Sequence, residues 1–126
     1  MRILYLCHQY WPALCGSGIF FQEMAERLAR EGHDVSVFTT DALAFERFLN
    51  RGGAKAGPRR ETHNGVAVRR FPLRHPPAFE RHRWRLARLP FPASPHLFST
   101  GFLPGLALEA LRRHPVDAVH AGLVPY

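Results

Sequence analysis

Residues 1–41, MRILYLCHQYWPALCGSGIFFQEMAERLAREGHDVSVFTTD, read as a strand, a loop of small residues, a helix and a second strand. Ile3, Leu4, Tyr5 and Leu6 form a short apolar run after Arg2, the pattern of a strand covered on both faces rather than of an alternating surface strand. From Phe20 the apolar residues Phe20, Phe21, Met24, Ala25, Leu28 and Ala29 recur three and four apart. Gln22, Glu23, Glu26, Arg27 and Arg30 stand opposite them, which predicts an amphipathic helix. Gly32 occupies the place where a left-handed residue closes a helix, and Val35, Val37, Phe38, Thr39 and Thr40 predict the next strand. So short a link between helix and strand requires parallel pairing through a right-handed crossover. In such a unit the loop Cys15-Gly16-Ser17-Gly18 joins a buried strand to a helix start, where backbone N–H groups can face an anion.

Further along, ALAFERFLN at 42–50 predicts a short helix, and RGGAKAGPRR at 51–60 an exposed loop. Asn64-Gly65 is a turn signal followed by alternating apolar residues, hence a third strand ending at Pro72. A helix is expected over 80–89, a broken loop over 90–103, and another helix from Pro104 or Gly105 to His114, with Arg112 and Arg113 at the negative end of its dipole. Val116-Asp117-Ala118-Val119-His120-Ala121 predicts a fourth strand. Strands alternating with helices make an α/β fold, a Rossmann-like parallel sheet with helices on both faces, and its ligand site lies beyond the carboxyl ends of the strands. Those ends are Cys7-His8-Gln9-Tyr10, Thr39-Thr40-Asp41, Phe71-Pro72 and His120-Ala121-Gly122, expected along one rim. An open doubly wound sheet seldom stops at its fourth strand uncovered, so the chain reads as the first part of a longer protein.

The 126 residues allow one core, and 46% hydrophobic content excludes a disordered chain. The apolar run after Arg2 ends at Cys7, too short for a signal or a membrane span, which predicts a cytoplasmic protein. Cys7 and Cys15 lack the spacing of a zinc site or disulfide framework and read as free thiols, and no metal is expected. The net charge of +7 comes almost entirely from arginine, densest over 69–88, where Pro72, Pro76 and Pro77 prevent one continuous basic helix. These arginines read as a solvated face and a connection rather than a nucleic-acid patch, although Phe79, Trp84, Leu86 and Leu89 among them would suit peripheral membrane contact.

The first strand, the small-residue loop, EMAERLAREGHDVSVFTTD, NGVAVRRFP and VDAVHAGLVPY together resemble the amino-terminal domain of GT-B fold glycosyltransferases, particularly the family 4 retaining enzymes with their signature LAxxLxxxGHxVxVxT. The resemblance implies an incomplete amino-terminal, acceptor-side domain over 1–126, its donor-binding carboxyl-terminal partner domain and the usual catalytic groups lying outside the chain. It implies transfer of a sugar from a nucleotide diphosphate sugar to a glycan, lipid or small-molecule acceptor, without cofactor, and no independent activity for these residues alone. In the family a Gly-Gly pair opens the first loop toward the donor diphosphate. Here the second glycine is Gly16 and the first is replaced by Cys15, so the implied donor-phosphate loop is Gly16, Ser17 and Gly18. Ser17 would either offer its hydroxyl to the phosphate or cap the helix. An HxH pair often follows the last strand; His120 matches the first histidine and Gly122 stands in place of the second. His8, Tyr10 and His120 are the acceptor-side candidates, with Trp11 beside Tyr10 as a further stacking surface.

Two other readings stay open at the level of sequence. Gly16-x-Gly18 with Asp41 at the end of the second strand partly matches an NAD(P)-binding fingerprint, but its third glycine falls on Phe21 and nine residues separate Leu6 from Gly16. The other is a basic module binding nucleic acid or an anionic membrane through the arginines of 69–88. No Ser-His-Asp arrangement or metal-ligand spacing stands out among the eight histidines.

Overall fold

The computed structural model describes residues 1–13, 15–49, 52–74, 105, 109, 112 and 115–122. In chain order they form β1 (Arg2–Leu6), α1 (Gly16–Arg30), β2 (Asp34–Thr40), a single turn α2 (Glu46–Leu49), β3 (Arg60–His63), β4 (Val66–Phe71) and β5 (Ala118–Ala121). One sheet has the order β3-β4-β2-β1-β5. The strands β4, β2, β1 and β5 are mutually parallel, as expected, and β3 is antiparallel to β4.

The antiparallel edge strand is an addition to the four strands legible in the sequence. Arg60, Glu61, Thr62 and His63 carry no apolar alternation, because this edge presents polar side chains and gains its order from pairing with β4. The turn between them is the Asn64-Gly65 signal, both residues at positive φ (49° and 82°), so that dipeptide closes a hairpin rather than merely preceding a strand. The loop before β3 is also tied down. Leu43 N–H donates to Ala54 O, and Ala56 N–H to Asp41 O.

Alternation along the strands divides the core. Ile3, Tyr5, Val35, Val37, Val66 and Val68 face α1, which buries Phe21 and Ala25 against them and packs Leu28 and Ala29 beside them. Each fully buried large apolar side chain on this face contributes about 1.5–3 kcal/mol. Leu4, Phe38 and Phe71 form the opposite face. There Gly105 and Glu109, both helical, meet Phe71 and Arg69. The buried stripe of α1 is narrower than its sequence suggests: Phe20 and Met24 are exposed. The helix begins at Gly16, four positions before the apolar periodicity, because Cys15 caps it. At its other end Gly32, at φ 91°, donates to Ala29 O while His33 donates to Leu28 O, the paired bonds of a left-handed helix stop.

The chain start is clamped to the last strand. Asp117 accepts from the Arg2 backbone N–H at 2.7 Å and from Arg2 Nη2 at 3.1 Å, bonds that hold its carboxyl below the usual carboxylate range. The helix expected over 80–89, with its membrane-contact residues, lies outside the described residues, as does most of the helix expected from Gly105.

Candidate functional site

From β1 the chain lays β2 and then β4 to one side, and returns with β5 on the other. The strand order reverses between β1 and β5, and in open α/β sheets ligands bind beyond the carboxyl ends of the strands at such a reversal. Bonds across the strand ends keep the rim continuous: Cys7 N–H to Phe38 O at 3.1 Å, Asp41 N–H to Phe71 O at 3.0 Å and Gly122 N–H to Leu6 O at 2.7 Å.

The start of α1 stands over this rim. Cys15 has extended backbone (φ −123°, ψ 154°), and its Sγ accepts from Gly18 N–H at 3.2 Å while its carbonyl takes the first helical bond, from Ile19 at 2.9 Å. The N–H groups of Gly16 and Ser17 come before both bonds, at the positive end of the helix dipole. A cysteine in place of the family's first glycine is therefore unstrained, since the backbone there needs no positive φ. The two glycines differ in function. A Cβ on Gly16 would meet nothing within 4 Å, so its backbone is open to approach. A Cβ on Gly18 would fall 2.8 Å from Cys15 Sγ and 3.2 Å from Gln9 O, so this glycine lets the preceding loop close onto the helix. Ser17 does not cap the helix; its Oγ lies 3.7 Å from Cys15 Sγ.

Of the acceptor-side candidates, His8 stays at the rim, half-buried, its ring 6.1 Å from that of Phe48 and its carbonyl accepting from Thr40 Oγ1. Tyr10 does not present its ring to a ligand. It is 1% exposed within the core cluster under α1, and burial raises its phenol above the ordinary range. Trp11 stacks on His63, centroids 4.8 Å apart and planes 12° from parallel. His120 sits one alternation below the rim, exposed, with its ring against Tyr5 (5.1 Å) and Phe21 (5.4 Å). Gly122, at the rim itself, has the Phe21 ring packed onto it.

Two features escaped sequence reasoning. Phe45 is 59% exposed and packs on Phe48, their centroids 6.0 Å apart; Phe48 itself is buried and also backs the His8 ring, so His8 and Phe45 flank it at the rim. The i, i+3 spacing of the two phenylalanines was its only signal. Asp41 is the other. It is buried, pairs with Arg47 at 3.1 Å and accepts from Leu73 N–H at 3.0 Å. Its oxygens serve the fold, which leaves the dinucleotide reading without its ribose-binding carboxylate. Among the described residues there is no group of three or more His, Cys, Asp or Glu side chains able to hold a metal ion, and no helix long and apolar enough to cross a membrane. Cys7 and Cys15 are both free.

Sheet order and alternating strands and helices define a Rossmann-like α/β domain. The glycosyl transferase 4-like domain model matches residues 16–126, and the chain belongs to that family. Its activity class is accordingly glycosyl transfer. No curated protein and no solved structure matches the chain.

Proposed function

We propose that this chain is the acceptor-side domain of a retaining glycosyltransferase of the GT-B type, which moves a sugar, a hexose in the first instance, from a nucleotide diphosphate sugar to an acceptor. The observation that carries this reading is the start of α1, where Gly16 leaves the backbone open and two N–H groups precede the first helical bonds. Gly16 and Ser17 cover the donor diphosphate through these groups, and Gly18 keeps the loop closed behind them. The acceptor lies against His8 and the exposed ring of Phe45, both of which pack on the buried Phe48, and the Phe45 face suits a sugar ring or an apolar aglycone. A second domain supplies the nucleotide pocket and the remaining catalytic groups, so the 126 residues alone bind the donor weakly and do not turn over. The enzyme works in the cytoplasm, at the inner membrane face where its acceptor is a lipid, and without a metal.

Amide-resolved NMR of the chain titrated with nucleotide diphosphate sugars tests the donor assignment. Shifts centred on Gly16, Ser17 and Gly18 are expected, with NAD(H) leaving them unmoved. Saturable micromolar NAD(H) binding without a response to sugar nucleotides would overturn it. Reading the gene beyond Tyr126 tests the domain assignment, and the anomeric configuration of the product made by the full enzyme tests retention.

A further inference from the structure

At the end of β4, two strands away from β1, a cleft of about 500 Å³ is bounded by Arg59, Arg60, Arg69, Arg74, Glu109 and Arg112 beside the ring of Phe71. With Arg70, which also lines it, six arginines surround a single lining carboxylate. Glu109 is buried and divides its oxygens between two of them, Oε1 accepting from Arg69 Nη1 and Oε2 from Arg112 Nη1 at 3.2 Å. Arg69 is also held flat, its guanidinium carbon 5.2 Å from the Phe71 ring centroid and 5.7 Å from that of Phe38. The neighbouring Arg70 is neutralised by Glu61 and bonded to the carbonyls of Pro58 and Trp11. Arg59, Arg60 and Arg74 are exposed and make no ion pair among the described residues.

Several like charges within one Debye length, about 8–10 Å, repel one another unless an anion joins them. Guanidinium forks match phosphate oxygens two at a time; Glu109 and two aromatic rings hold Arg69 in place at the cleft, and the exposed Arg59, Arg60 and Arg74 supply the charge left without a carboxylate among the described residues. We propose that this cleft binds a phosphate or diphosphate group. It does not rest on the donor assignment, because Gly16 and α1 take no part in it. The group comes either from a soluble phosphate ester or from a phospholipid headgroup.

Calorimetric titration of the 126-residue chain with inorganic pyrophosphate tests the site. Saturable binding that weakens with salt is expected. Arg59→Gln, Arg60→Gln and Arg74→Gln combined should weaken it about tenfold or more. The charge-matched combination Arg27→Gln, Arg30→Gln and Lys55→Gln, outside the cleft, should leave it unchanged. On the wild-type chain, pyrophosphate should also slow tryptic cleavage after Arg59, Arg60 and Arg74 but not after Arg30, a readout that needs no variant to fold. Sedimentation with phosphatidic acid vesicles against phosphatidylcholine vesicles separates the two sources. Binding of the acidic vesicles that the cleft variant loses assigns a headgroup, and pyrophosphate binding alone assigns a soluble ester. Absence of saturable pyrophosphate binding at low salt, or equal losses in the two triple variants, overturns the proposal.

Discussion

The ring of Phe21 lies so close to the backbone of Gly122 that a Cβ there would fall 1.9 Å from Cζ and 2.1 Å from Cε2. The position where relatives often carry a second histidine is filled by an aromatic side chain from α1, which also meets Tyr5 edge-on at 5.9 Å. Gly122→His must push Phe21 out of its place between Tyr5 and His120, a loss of about 1–3 kcal/mol for overpacking. Phe21→Ala alone costs about 3–5 kcal/mol through its cavity. Combined, the two should be clearly less destabilising than their sum, measured by urea unfolding, since each relieves the other. Strict additivity would mean that the ring and the glycine do not compete for one space.

The parallel core strands were legible because Ile3 to Leu6 is an unbroken apolar run and Val35, Val37, Phe38, Thr39 and Thr40 are apolar or β-branched, with Ser36 the one interruption. The edge strand Arg60–His63 was not, because an edge is stabilised by backbone pairing and a polar surface, neither of which leaves a hydrophobic period. The helix start shows the same limit from another side: Cys15 caps through sulfur, outside the usual serine, threonine and aspartate signals. For the site, the small-residue loop and the rim were readable from spacing, whereas the burial of Tyr10 depends on how the loop after β1 folds back under α1. The role of Asp41 was hidden for a similar reason, as its partners Arg47 and Leu73 lie 6 and 32 residues away.

Asp41 joins the ends of β2 and β4 to α2, so its removal should act on stability. Asp41→Ala takes the carboxylate from the buried Arg47 guanidinium and from the Leu73 N–H. Loss of one partner of a buried pair costs about 3–5 kcal/mol, a large share of the 5–15 kcal/mol typical of a domain. Chemical denaturation should show that loss, and Asp41→Asn, which keeps the acceptor for Leu73, a smaller one. A variant as stable as the wild type would return Asp41 to the candidates for ligand binding.

Burial pushes the Cys7 thiol up to about 12, with the neighbouring Thr39 hydroxyl pulling the other way and Cys15 adding to the rise. A raised folded-state value means that the folded chain keeps its proton where the unfolded chain, near the thiol's ordinary value of 9.0, has lost it. This contribution is fully present below about pH 9 and declines as pH climbs toward 12, at most about 1.4 kcal/mol per pH unit. The phenol of Tyr10, also raised by burial, adds to the decline above its ordinary value of 10.0. Unfolding followed from neutral to alkaline pH should therefore show falling stability, and Cys7→Ala should flatten its lower part. In the native protein at pH 8 a thiol reagent should modify Cys15, half-buried at the loop, and spare Cys7 until denaturant is added. Equal reaction of both would place Cys7 outside the core.

The cap itself makes the last prediction. Cys15 Sγ receives the Gly18 N–H, so Cys15→Ala leaves that donor without its acceptor at the start of α1 and should cost about 1 kcal/mol. Cys15→Ser keeps the acceptor, and serine ranks among the preferred caps, so it should be neutral or slightly stabilising. Gly18→Ala should be worse than either, because its Cβ meets both Cys15 Sγ and the Gln9 carbonyl. In a Cys15→Ala background only the first of those contacts disappears, so relief should be partial. Thermal unfolding of the four variants orders them, and a Cys15→Ala protein as stable as the serine variant would mean that the sulfur contributes no cap.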